Sequence, residues 1–144
     1  MSHRLVGNWT LLSYDSIHAD GTTGKPFGNA VGRLTYDELG YMSGQVMRPD
    51  RAAIARTNKG TRRLRAAYAG YIAYFGTYQV NDADATVVHH VRGALNPEWV
   101  GGRQVRRFRF EGDLLILQVD IPRPDGLVRH VLTWERLTSP AAHG

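Results

Sequence analysis

Hydrophobic and polar positions alternate along most of this chain, and the alternation is interrupted by turn-forming clusters. In residues 5–15, Trp9, Leu11 and Ser13 fall on one face and Thr10, Leu12 and Tyr14 on the other, the period of a β-strand. Residues 16–32 contain Asp20-Gly21, Gly24-Lys25-Pro26 and Gly28-Asn29, which mark a long loop. Strands are expected at 33–37 and 41–47 about a tight turn that ends in Gly40. The second of these strands stops at Arg48-Pro49-Asp50. A polar connection over 50–60 leads to a helix predicted over 61–72. There Leu64, Tyr68, Tyr71 and Ile72 form one apolar stripe and Thr61 is placed to cap the first turn. Arg62 and Arg63 sit where the helix dipole disfavours cations, so this helix must lean on tertiary contacts and reads as a lid. From residue 73 onward only strands and turns are expected, with strands at 73–80, 86–93, 103–110, 114–121 and 127–136. The tail, 138–144, is expected to fray.

These elements describe an all-β chain: an eight-stranded antiparallel up-and-down β-barrel with one short helix between strands three and four. The connections at 37–40, 81–85 and 111–113 are short, and those at 16–32, 48–72 and 94–102 are long. In a meander, odd and even connections lie at opposite ends, so the long loops surround a mouth and the short turns close the other end. Trp9 begins the first strand and Arg136 ends the last, so both fall at the closed end and meet when the barrel closes. A barrel of eight strands has room for side chains or one small ligand.

The chain has 144 residues, which suits one domain, 1–144, with its own core. It has no cysteine, which excludes disulfides, thiolate metal sites and a cysteine nucleophile, and favours a reducing, cytoplasmic setting. No apolar stretch follows Met1-Ser2-His3-Arg4, so no secretory signal is expected, and no apolar run approaches the ~20 residues of a membrane span. Net charge is +5, yet only two of the 18 basic residues are lysines. That modest field favours small anionic ligands over nucleic acid. Arg62, Arg63 and Arg65 read as a solvated helix face. No phosphate-binding glycine loop and no Gly-x-Ser-x-Gly elbow is present.

The expected inward faces carry the candidate chemistry. The last strand turns His130, Leu132, Trp134 and Arg136 inward, and the strand at 103–110 turns Gln104, Arg106, Phe108 and Phe110 inward. Leu115, Leu117 and Val119 face them. Tyr74, Gly76, Tyr78 and Val80 form another inward set, as do Leu34 and Tyr36. At 41–47 the inward set is taken as Ser43, Gln45 and Met47. At 86–93 the charge of Arg92 selects His89, rather than His90, as the inward histidine; a one-residue slip would exchange the two. A buried Arg106 needs a partner, either an internal acid such as Asp15 or a ligand carboxylate, phenolate or enolate. His89 is either a structural histidine bonded to a tyrosine or a neutral imidazole that takes and gives a proton. His89 and His90 point to opposite faces, and His89 with His130 supplies two ligands and no third, so no metal is expected.

Gly7-Asn8-Trp9 resembles the Gly-x-Trp motif of the lipocalin superfamily, and Arg136 resembles the arginine that packs across that tryptophan. The chain is similar over nearly its whole length to cytoplasmic lipocalin-like domains of bacteria and fungi. The stretches concerned are Leu5-Val6-Gly7-Asn8-Trp9, 44–51, 71–78, Val88-His89-His90-Val91 and Gln104-Val105-Arg106-Arg107-Phe108. The resemblance implies a lipocalin-like barrel with a ligand cavity; no cofactor, no membrane insertion, and a monomer or homodimer are expected. It departs from secreted lipocalins in lacking a disulfide pair and in placing a helix between strands three and four. Two functions are compatible with it, beside a structural or interaction domain whose barrel is filled by side chains. One is binding of a small hydrophobic or amphipathic molecule with an anionic or carbonyl group by Tyr36, Gln45, Tyr74, Tyr78, His89, Arg106, His130 and Trp134. The other is a cofactor-independent isomerase, cyclase or lyase acting on a polyketide- or terpenoid-like substrate. In that case His89, Arg106 and Tyr78 would hold a carbonyl compound, remove an α-proton and stabilise the enolate.

Overall fold

A computed structural model describes residues 2–140; of the tail expected to fray, residues 141–144 lie outside the described residues. Nine strands form one antiparallel sheet: β1 (Gly7–Ile17), β2 (Thr23–Gly24), β3 (Val31–Tyr36), β4 (Tyr41–Met47), β5 (Tyr71–Asn81), β6 (Thr86–Ala94), β7 (Arg103–Glu111), β8 (Leu114–Arg123) and β9 (Gly126–Arg136). Each of the eight long strands pairs with the next, and β1 pairs with β9, which closes the barrel. The two-residue β2 only decorates the end of β1. The meander places the long connections and the Pro124-Asp125 turn at one end, and the tight turns after β3, β5 and β7 at the other.

The closed end is built as the sequence predicts. Trp9 is 1% exposed, and its indole N–H donates to the Leu5 carbonyl at 2.9 Å. Arg136 lies over the Trp9 ring, 4.3 Å from its centroid. Its guanidinium donates to the carbonyls of Val6 and Arg4, both at 2.6 Å. Gly7 has φ +145°, and a Cβ there would collide with the Arg136 guanidinium, so glycine is required at this position. Residues 2–5 then cross under the barrel and bind all three tight turns. Ser2 donates to Glu38 at 2.7 Å, His3 meets Asp82 at 2.7 Å, and Arg4 donates to the Gly112 carbonyl at 3.0 Å. Leu5, fully buried, joins the core beside Trp9.

Three local expectations are corrected. A β-bulge falls between Leu11 and Ser13. Trp9 and Leu11 face inward as expected, but beyond the bulge Tyr14 and Ser16 are the buried residues, not Ser13. The extra residue shifts the alternation by one, so one strand contributes both parities to the interior. At β4 the inward residues are Met42 and Val46 with Gly44 between them, whereas Ser43 and Gln45 are exposed. The apolar content of the two faces is similar, and Gly44 removes the side chain that would have marked the inner one.

The third correction concerns the helical connection. It holds two helices, α1 (Arg51–Arg56) and α2 (Gly60–Ala69), not one. Arg51-Ala52-Ala53-Ile54-Ala55-Arg56 is rich in strong helix formers, Thr57-Asn58-Lys59 separates the two segments, and Gly60, at φ +56°, opens the second. Thr61 does not cap; the residue before the second helix is Lys59, with no side-chain cap. Tyr71 and Ile72 belong to β5, where they pair with Met47 and Val46. Neither helix buries a residue fully. They are tied together by Arg51, whose guanidinium donates to the Ala67 carbonyl at 2.8 and 3.1 Å and stacks on Tyr71. Arg62, Arg63 and Arg65 are exposed. No described helix is long and apolar enough to cross a membrane.

Candidate functional site

A cavity of about 100 Å³ opens inside the barrel. Leu34, Val46 and Ile72 line one wall, Leu117, Val119 and Leu132 the other, with Trp134 beside them. Its polar lining comes from Tyr14, Gln45, Tyr74, His89, Arg106 and His130. Drug-sized pockets run to roughly 300–1,000 Å³, and a cavity of ~150 Å³ holds one benzene, so this interior encloses at most the bulk of one ring. No residue of the long connection between β4 and β5, helices included, contributes to the lining; β5 reaches it first at Ile72.

His89 takes the predicted inward orientation and is 2% exposed, while His90 meets Gln79 on the outside. Both ring nitrogens of His89 are engaged. Nε2 meets the Tyr36 hydroxyl at 2.6 Å, and Nδ1 meets the Tyr74 hydroxyl at 2.6 Å. Burial, with Arg106 and His90 adding to the effect, lowers the His89 pKa to about 3, so the ring is neutral near pH 7. A neutral imidazole has one N–H and one bare nitrogen. Tyr36 is 1% exposed and bonds to no other group, so its proton must go to Nε2 or remain buried without an acceptor. Nδ1–H then donates to the Tyr74 oxygen. Tyr74 lines the cavity, and its own O–H is left to point there. Burial raises the pKa of both tyrosines, Tyr36 well above its ordinary value, so each keeps its proton.

Arg106 faces the cavity from β7. It donates to the Gln104 side chain at 3.2 Å and to the Val105 carbonyl at 3.1 Å. No carboxylate pairs with it among the described residues. Asp15, the acid expected to do so, lies past the bulge on the outer face and binds Lys25 at 2.9 Å. The Arg106 charge is nonetheless felt across the interior, where it opposes protonation of His89 and His130 and stabilises the phenolates of Tyr14, Tyr36 and Tyr74.

His130 meets the Tyr14 hydroxyl through Nδ1 at 2.6 Å. Burial lowers its pKa, with Arg123, Arg106 and His18 adding to the effect, so it too is neutral near pH 7. Trp134 is 3% exposed, and its indole N–H has no partner. Among the described residues it is the one buried side-chain polar atom without a hydrogen bond.

Of the eight candidate binding residues, Tyr74, His89, Arg106, His130 and Trp134 are brought together at the cavity. Tyr36 stands behind His89 as its support. Gln45 touches the cavity only from β4's outward-facing register, its side chain exposed. Tyr78 does not join His89. Its hydroxyl donates to the Asp37 carbonyl at 2.6 Å and its ring packs on Tyr36, so it fastens the closed end. Tyr14, Val46 and Ile72 were missed. The sign of Tyr14 was present in Leu11-Leu12, two large apolar residues in succession where strict alternation allows one. No group of three or more metal-ligating side chains occurs among the described residues.

No curated protein sequence matches the chain. Among solved structures, one described as "The Siderocalin Ex-FABP functions through dual ligand specificities" is similar at a TM-score of 0.35 and 8% identity. The match covers 98% of this chain and 80% of that one. The family model described as a lipocalin-like domain matches residues 6–137, a span that runs from the carbonyl under Arg136 to the residue after the closing strand. The chain belongs to the lipocalin-like domain family.

Proposed function

We propose that the barrel binds a small hydrophobic or amphipathic molecule that places an anionic or carbonyl group against Arg106. The observation that carries this reading is a half-buried guanidinium that lines an apolar cavity and has no carboxylate to neutralise it among the described residues. The neutral side chains around it suit an anion: Tyr74 offers an O–H, His130 is uncharged, and no acid lines the cavity. A chain without cysteine suits a reducing compartment such as the cytoplasm.

The geometry gives no comparable support to proton abstraction. His89 has no free ring nitrogen, its basicity is depressed by burial, and Tyr78 is bonded elsewhere.

Benzoate is a suitable probe of this reading, titrated against the wild type and Arg106→Gln by calorimetry. Loss of the charge should weaken binding at least about tenfold, the equivalent of one charge-assisted hydrogen bond of about 1.5 kcal/mol. Equal affinity in the two proteins would overturn the assignment.

A further inference from the structure

We infer that the Trp134 indole N–H is a specificity determinant that selects ligands with a second, neutral acceptor at the end opposite their anionic group. The inference rests on the binding role proposed for the cavity and extends it to the ligand's far end.

The first observation is the orphan donor itself. A buried N–H without a partner is costly, so native interiors seldom keep one unless something else satisfies it. Trp134 lines the cavity, and its ring is otherwise packed in the core. A ligand oxygen at that position would remove the deficit.

The second observation is the layering of the wall formed by β7, β8 and β9. His130 pairs with Val119 on the mouth side. Leu132, Leu117 and Phe108 form the next level in register. Trp134, Leu115 and Phe110 form the level toward the closed end. Arg106 lies two residues before Phe108 on the same face, near the His130 level. On this wall Arg106 and His130 are separated from the Trp134 indole by the apolar level of Phe108, Leu117 and Leu132. His130 and Trp134 are four residues apart along one strand, with one inward residue, Leu132, between them. A ligand that satisfies both levels has an anionic head, an apolar middle about one ring long, and an uncharged acceptor tip such as a ketone or ether oxygen. An N–H accepts no hydrogen bond, so a tip that can only donate is excluded.

4-Acetylbenzoate and 4-isopropylbenzoate have nearly the same shape and differ in one ketone oxygen against a methyl. The wild type should bind the acetyl compound about tenfold more tightly, and Trp134→Phe should bind the two alike. In nitrogen-15 spectra of the wild type, the Trp134 indole proton should move downfield with 4-acetylbenzoate and not with 4-isopropylbenzoate, a readout independent of how the variant folds. Equal wild-type affinities, a static indole resonance, or a preference that persists in Trp134→Phe would each overturn the inference and leave the Arg106 reading intact. Failure of the wild type to bind either compound would overturn both.

Discussion

Arg136 lies 4.3 Å over the Trp9 ring, and the two residues are also Cα partners across the seam that closes the barrel. One contact thus joins the first strand to the last, fills the closed end and binds the backbone of residues 4–6. Trp9→Ala should cost about 3–5 kcal/mol in denaturant unfolding, as expected for a fully buried tryptophan. A cost below about 1 kcal/mol would contradict its place as the plug.

Much of this end is legible in the sequence because its constraints are local or chemically singular. Gly7, Trp9 and Arg136 each do something few residues can do, and connection lengths alone assign them to one end. The cavity is less legible where two faces of a strand differ little. On β4, Met42 and Val46 compete with Ser43, Gln45 and Met47, and no charge breaks the tie. On β6 one charge, Arg92, does break it, and His89 is placed correctly. The apolar stripe of Leu64, Tyr68, Tyr71 and Ile72 mixes two elements. Leu64 is 73% exposed, while Tyr71 and Ile72 already pair in the sheet.

The burial of His89 makes stability depend on pH. The folded-state pKa is depressed to about 3 from 6.5, so between these values the unfolded chain holds a proton that the folded chain does not. The stabilisation is complete above about pH 6.5 and is lost as pH falls toward 3, at up to about 1.4 kcal/mol per pH unit. Unfolding free energies of wild type and His89→Gln from pH 7 to pH 4 should converge on acidification; parallel curves would refute the assignment.

Tyr36→Phe and Tyr74→Phe should differ in their effects. The first leaves His89 Nε2 buried without a donor and should destabilise the fold by about 1–3 kcal/mol. The second leaves Nδ1–H beside the cavity, where water or ligand can accept it, and should cost less. Thermal unfolding of the two variants side by side measures the difference, and a larger loss for Tyr74→Phe would reverse the proton placement.

Gly76 tolerates no side chain. It is buried beside the bulge between β5 and β6, and a Cβ there would run into the His90 carbonyl oxygen, a backbone atom that cannot swing aside. Gly76→Ala should lose stability at or above the upper end of the ~1–3 kcal/mol usual for overpacking. Because His90 adjoins His89, the variant should also shift the His89 imidazole resonances. Unchanged stability would show that the strand pair can give.

Ser2, His3 and Arg4 each hold a different tight turn, so three hairpin ends share one strap. The amides of those turns therefore have a common gatekeeper. Their hydrogen exchange is expected to proceed with a single opening free energy, while the helices around the mouth exchange independently and sooner.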